Sequence, residues 1–230
     1  LPSAFHRIPA TDGLPPSQPL TSFVLRSDRG PGPLAIDAGS LGMVGEAEDM
    51  ARVRDVLLTH AHIDHAGSAV AVRELSQEPV LAHADEVALC QGQPPVLKPS
   101  GPFGRLFQKT GAIQQRFDYF SPDRTLQGQM LDLNDYGFAA RLVHTPGHTA
   151  GSVSVLLDDG RVIAGDRAAS GILLGVLALR GRPKSPPFEE DIAGVIASLE
   201  HLLAQGCTQF YLGHGGPLPA QAIARHVGDL

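Results

Sequence analysis

The stretch Thr59-His-Ala-His-Ile-Asp-His-Ala-Gly67 places His60, His62, Asp64 and His65 within six consecutive positions of a 230-residue chain that has only 10 histidines. Imidazole nitrogens and carboxylate oxygens are the donors that a zinc-type divalent ion takes, at about 2.0–2.2 Å. His60 and His62 directly follow Asp55-Val-Leu-Leu-Thr59, which reads as a short buried strand. In an extended segment residues two apart point to the same side, so these two rings can converge on one ion. Asp64 and His65 lie where the chain turns into a helix, facing away from that ion or toward a second one. The segment alone cannot complete two coordination shells, so further donors must come from elsewhere.

Three other loops offer them. Thr145-Pro-Gly-His148-Thr-Ala-Gly-Ser152 sets a histidine after a Pro-Gly turn, Ala164-Gly-Asp166 sets a carboxylate past a strand, and Leu212-Gly-His214-Gly-Gly216 sets another histidine. Glycine beside each donor lets the backbone turn sharply and pass close to an ion. Each loop is a weak signal by itself; together they are independent loops that all end in a donor.

The elements that must position these loops alternate along the chain. Strands are read at Ser22–Arg26, Leu34–Asp37, Asp55–Thr59, Pro79–Ala82, Ala139–His144, Ser152–Leu157, Arg161–Ala164 and Gln209–Leu212, with Asp158-Asp-Gly160 as a hairpin turn. Helices are read at Gly67–Ser76, Ala84–Gln91, Asp191–Gln205 and Pro219–Val227; the third carries Ile192, Val195, Ile196, Leu199, Leu202 and Leu203 on one side. Strands mixed with helices throughout argue for α/β architecture, helices covering a sheet. There is no internal repeat or linker, so residues 1–230 read as one domain. Residues 92–125 break the pattern, with many Gly and Pro but also Phe103, Phe107, Phe117, Tyr119 and Phe120. That segment is expected to be a lid or insertion whose rings line an apolar pocket, against the alternative of a structural wrap or dimer contact.

Composition narrows the function classes. The net charge of −6 and the lack of any Lys/Arg cluster speak against nucleic acid as a partner. No apolar run approaches the roughly 18–20 residues of a membrane span. Cys90 and Cys207 are far apart and outside any CxxC spacing, so the fold rests on its core rather than on a staple, and free thiols favour the cytoplasm. The chain begins at Leu1 rather than Met, which leaves room for a removed targeting segment. A small-molecule substrate and a monomer or homodimer are the expected partners.

His60, His62, Asp64, His65, His148, Asp166 and His214, with the TPGHTAGS, GD and GHG elements around the last three, resemble the signature of the metallo-β-lactamase fold superfamily over roughly Ser22 to Pro217. That resemblance implies a four-layer αβ/βα sandwich with the metals in a cleft at one edge. It implies that His60, His62 and His148 hold one ion, that Asp64, His65 and His214 hold the other, and that Asp166 bridges them. Two divalent ions, zinc first with iron or manganese as alternatives, are therefore the expected cofactors, and Asp64 is assigned a catalytic part besides its ligand one. Two such ions about 3.5–4 Å apart repel each other, and a bridging carboxylate with a bridging hydroxide screens that repulsion. The centre keeps about one net positive charge, which suits anionic transition states. The implied reaction is hydrolysis of an ester, thioester or lactone-type carbonyl by the metal-bridging hydroxide.

Details sort the relatives. A bridging Asp166 argues against a true β-lactamase, and Arg167-Ala-Ala-Ser170 stands where lactonases of acyl-homoserine lactones carry a Tyr. His62 excludes the flavodiiron pattern, which has Glu there. The resemblance is strongest to the hydroxyacylglutathione hydrolase (glyoxalase II) group without its C-terminal helical domain. A mononuclear iron persulfide dioxygenase and a phosphodiesterase are the alternatives. Among the remaining residues, Asp37 is expected to orient a ligand histidine by accepting its second N–H. His83 and His144 are expected to be hydrogen-bonded structural groups, and His6, His201 and His226 to face solvent. Gly171–Pro187 is expected to form another cleft wall, with Arg167, Arg180, Arg182 and Lys184 either meeting an anionic substrate group or solvated.

Overall fold

The structure is a computed structural model that describes residues 4–9, 21–26, 32–40, 52–173, 176–177 and 181–230. Two six-stranded sheets form its centre. The first contains β1 (Ala4–Pro9), β2 (Thr21–Arg26), β3 (Leu34–Ile36), β4 (Asp55–Leu57), β5 (Val80–His83) and β6 (Arg124–Leu126), side by side in that order. The second runs in reverse order from β12 (Leu218–Pro219) through β11 (Gln209–Leu212), β10 (Arg161–Gly165), β9 (Val153–Leu157) and β8 (Ala140–His144) to β7 (Met130–Asp132). Helices α1 (Ile63–Ala66), α2 (Ala69–Ser76) and α3 (Val87–Cys90) belong to the first half, α4 (Gly101–Gln108) to the connection, and α5 (Ile192–Ala204) and α6 (Ala220–Asp229) to the second half.

Alternation along the strands separates three apolar layers. On β2, Phe23 and Leu25 face the second sheet and meet Leu142, Val153, Val155 and Ile163, while Val24 between them faces the helices with Val56, Val72 and Val80. The outer face of the second sheet, with Val143, Val162, Phe210 and Leu212, is covered by Val195, Leu199 and Leu202 of α5 and Ile223 of α6. Helix, sheet, sheet and helix are thus stacked as the expected αβ/βα sandwich. Within α5 the apolar stripe is narrower than expected, because Ile192 next to the Asp191 cap is exposed.

Strand direction gathers the loops. Strands β8 and β10 are each antiparallel to β9, and β10 is parallel to β11, so β8, β10 and β11 all end at one edge of their sheet. Those ends lead into His148, Asp166 and His214, and β4 leads into His60 in the same way.

Several elements depart from the sequence reading. Strand β1 was not expected, and its whole length pairs antiparallel with β2, from Ala4 opposite Arg26 to Pro9 opposite Thr21. The expected helix at Gly67–Ser76 is α2, and a separate short helix that was not expected, α1, precedes it. Residues 84–91 form a short 3-10 turn followed by α3. Within 92–125 lie α4, opened by Gly101-Pro102 whose proline suits a first helical turn, and β6, which adds a parallel edge strand to β5.

Because Leu199 is fully buried between α5 and the second sheet, Leu199→Ala is expected to lower stability by about 2–5 kcal/mol in urea unfolding. Metal content at low denaturant should be unchanged, since this core lies behind the strands and not at their ends.

Candidate metal centre

Two groups of donors meet at the strand ends. His60, His62 and His148 form one, and Asp64, His65, Asp166 and His214 form the other; within each group the donor atoms lie within 4.8 Å of one another. His62 Nδ1 is 3.1 Å from His148 Nε2, and His214 Nε2 is 3.1 Å from Asp64 Oδ2. Donors bound at about 2.0–2.1 Å to a tetrahedral ion are spaced about 3.3 Å apart, so both spacings match what one ion imposes. Asp166 touches both groups: its Oδ1 is 3.5 Å from His65 Nε2, while its Oδ2 is 3.3 Å from His214 Nε2 and 3.8 Å from His148 Nε2. The backbone next to His214 is pressed against this carboxylate. A Cβ on Gly213 would fall 2.2 Å from Asp166 Oδ1 and 2.7 Å from His65 Cε1, so no other residue type fits there.

These groups are buried and lack partners of their own. His60 Nε2, His65 Nε2, His214 Nδ1, Asp64 Oδ1 and Asp166 Oδ1 are all shielded from solvent without a hydrogen bond. Buried polar atoms are ordinarily satisfied, and so many unsatisfied nitrogen and oxygen atoms in one cluster of candidate ligands are what a bound cation would complete.

The charges divide the same way. Burial, reinforced by the neighbouring imidazoles, pulls His62 and His148 down to about 3 and His60 well below the ordinary value, so the first group is neutral and presents lone pairs. In the second group burial also opposes charge, but Asp166 and Asp64 outweigh it and raise His214 to about 10, while Asp37 and Asp166 raise His65. Asp64 goes down to about 2, its burial overcome by His65 and His214. Protons held between those carboxylates occupy the electrostatic place of a cation, and an ion entering there would displace them.

A further ring of carboxylates fixes the donors. Asp37 accepts from Thr59 N at 2.7 Å and from Thr59 Oγ1 at 2.9 Å, and its Oδ2 is 2.8 Å from His65 Nδ1. The expected orienting role for Asp37 is therefore what the geometry shows, directed at His65. Glu189 Oε2 is 2.8 Å from His148 Nδ1; with the N–H there, His148 Nε2 is left as the lone pair. Glu86, fully buried, accepts from Ala61 N at 2.7 Å with one oxygen, and from Thr149 Oγ1 at 2.6 Å and Gly151 N at 2.9 Å with the other. It latches the loop of His60 and His62 to the loop of His148.

Sequence reasoning missed Glu86 and Glu189. Nothing local separates them from solvated carboxylates, as their partners are 25 to 65 positions away. Other expectations divide. Arg167 is neither solvated nor in the cleft: it is fully buried and donates to the Thr145 carbonyl. His226 is buried rather than solvent-facing, because α6 turns it inward; His201 is exposed. The side chain of His6 and residue Arg180 lie outside the described residues. His83 and His144 stack at 4.1 Å with an interplanar angle of 6°, and His144 Nε2 donates to Ala150 O at 2.8 Å. Asp85 lies close by, but parallel rings cannot both aim in-plane lone pairs at one ion, so the pair is structural, as expected.

A cavity of ≈ 360 Å³ opens over the donors, walled by Phe103 and Phe107 of α4, by Phe188, and by Lys184, with Asp64 and Asp166 at its floor. The rings of 92–125 thus split. Phe103 and Phe107 face the cavity, whereas Phe120 is buried in the core of the first half with Phe117 packed against it.

With this geometry, the chain belongs to the metallo-β-lactamase superfamily, whose family model matches residues 36–214. Among curated relatives, it is 30% identical over 235 residues to the probable metallo-hydrolase YflN of Bacillus subtilis, covering 94% of this chain and 83% of that one. The fold is shared with the B3 metallo-β-lactamase BLEG-1, with TM-score 0.67, 22% identity and 99% of each chain covered. It is also shared with TTHA1623, solved in a di-iron-bound form, with TM-score 0.62, 24% identity, and 97% of this chain and 100% of that one covered.

Glu86→Ala leaves Ala61 N and Gly151 N without their acceptor and takes one of two partners from Thr149 Oγ1. It is expected to cost about 3–5 kcal/mol in thermal or urea unfolding and to lower the metal content of the purified protein, read by elemental analysis.

Proposed function

We propose that this chain hydrolyses an ester, thioester or lactone carbonyl of a small molecule at a pair of divalent ions. His60, His62 and His148 hold one, Asp64, His65 and His214 hold the other, and Asp166 serves both. The observation that carries the reading is the place of Asp166, whose Oδ2 lies 3.8 Å from His148 Nε2 of one group and 3.3 Å from His214 Nε2 of the other. As a member of the superfamily the chain is a metal-dependent hydrolase. Zinc is the first choice for a donor set of imidazole and carboxylate, with iron next. When bound, such ions would supply an ionised water near neutral pH and would polarise a carbonyl oxygen.

The chain's own residues do the rest. Asp64 and Asp166 would offset the charge of the ions, and Asp64 would take up the proton released as the nucleophile forms. Asp37 and Glu189 hold His65 and His148 in the tautomer that points a lone pair inward. The ring of Phe188 lies 5.4 Å from that of His62 and 5.7 Å from that of His148, closing one side of the centre to water. Of the subgroups, the hydroxyacylglutathione hydrolase core is the one this donor set resembles, which favours a thioester.

Purified protein is expected to contain two ions per chain and to hydrolyse members of a panel of aryl thioesters, lactones and phosphodiesters. Activity should vanish on chelation and return with zinc or manganese. Asp166→Ala should lose at least one ion and lower kcat by about 100-fold or more. One iron per chain with oxygen consumption on a persulfide would contradict the proposal, as would full activity of Asp166→Ala with both ions retained.

A further inference from the structure

The wall of the cavity above the donors is a continuous ladder of rings. Phe188 stacks on His148 with centroids 5.7 Å apart and an interplanar angle of 24°, Phe107 lies 6.3 Å from Phe188 at 26°, and Phe103 lies 6.2 Å from Phe107 at 28°. Lys184 closes its far end, with Nζ 5.8 Å from the centre of the Phe103 ring. The ladder is held rigidly. Gly104 of α4 sits so close to the segment before Phe188 that a Cβ there would be 1.9 Å from Pro187 O, and Ser100 N donates to that same oxygen at 2.8 Å. Phe188 and Glu189 also pair with Lys98 and Pro99. The segment bearing two of the rings is thus fastened to the one bearing the third.

Among the described residues Lys184 is the one lysine or arginine on this lining, and it lies away from the histidines of the floor. Among the described residues no carboxylate lies within ion-pair distance of it, and partial burial alone lowers its pKa. An ammonium with no acid partner, half withdrawn from water at the rim of an apolar cavity, is a preformed place for an anion. The acidic floor at Asp64 and Asp166 cannot supply one.

We infer that the substrate of this site is an acyl compound with an aromatic or otherwise flat apolar body lying along Phe188, Phe107 and Phe103, and an anionic group, a carboxylate or phosphate, at the end far from the scissile carbonyl, held by Lys184. This rests on the proposed hydrolytic reading for the position of the carbonyl. The assignment of rings and ammonium rests on the cavity alone. Stacking on the phenylalanines supplies affinity and orientation. The anion at Lys184 fixes which end of the molecule reaches the floor.

Two measurements test it separately. In the first, the metal-stripped protein is titrated calorimetrically with 3-phenylpropanoate, with its neutral amide and with butanoate. The aryl acid should bind about 10-fold tighter than the amide, as one charge-assisted hydrogen bond implies, and that gap should close in Lys184→Met and return in Lys184→Arg. Phe107→Ala should weaken acid and amide alike by about 10-fold, and butanoate should bind more weakly than the aryl acid. Equal binding of acid and amide by the wild type, or a gap that survives Lys184→Met, overturns the role of Lys184. Unchanged affinity in Phe107→Ala overturns the role of the rings, and its circular dichroism and melting curve show whether the variant is folded. In the second, metal-loaded wild type and Lys184→Met are compared on two aryl thioesters differing only in a distal carboxylate. Lys184→Met should raise KM for the carboxylated one by about 10-fold more than for the neutral one; an equal effect on both overturns the proposal. Failure to hydrolyse either thioester, with the calorimetric preferences intact, would refute the hydrolytic reading and leave the binding assignment standing.

Discussion

The structure depends on one electrostatic constraint: five imidazoles and two carboxylates are pressed into a single buried space where water cannot solvate them. Neutral lone pairs facing each other repel, and ionised carboxylates withdrawn from water are costly unless compensated. The chain meets half of this by itself. Protons on His65 and His214 offset Asp64 and Asp166, while His60, His62 and His148 are left neutral and uncompensated. In the proposed centre cations take up both halves of the problem, and Asp166 is the group that belongs to both.

Such a cluster persists only if every member is held from behind. Asp37 fastens Thr59 and His65, Glu189 fastens His148, and Glu86 ties the loop of Ala61 to that of Thr149 and Gly151. The sandwich supplies the frame on which this is possible, since β8, β10 and β11 end at one edge and β4 of the other sheet leads into His60. Three apolar layers stabilise the fold, and the polar groups are confined to the strand ends where the layers stop. The same strap that carries Glu189 carries Phe188, so the apolar wall of the cavity and the orientation of His148 are set by two adjacent residues.

Much of this was legible in the sequence, for physical reasons that differ by element. The seven candidate donors could be read because four are crowded into six positions after β4 and the other three, His148, Asp166 and His214, each follow a strand with glycine beside them. Asp37 was readable for the same reason. Strands β2, β9 and β10 were readable as short, largely apolar runs, since both of their faces are buried. Glu86 was not: it follows Asp85 at the start of a helical turn, where acids are usually solvated, and its three partners come from distant loops. Strand β1 was not read; it is defined by its antiparallel pairing with β2. Helix α4 was hidden because Gly101-Pro102 and Gly104 read as loop residues, whereas the proline begins a helix and the glycine permits close contact with Pro187. The rings of 92–125 looked like one set, but packing divides them between the cavity and the core.

The central claim, that one carboxylate joins two ions, is tested most directly by diffraction from crystals of the purified protein at the zinc and iron absorption edges. The account predicts two anomalous peaks about 3.5–4 Å apart, one among His60, His62 and His148, the other among Asp64, His65 and His214, with Asp166 between them. A single peak, or a pair that does not flank Asp166, would contradict it.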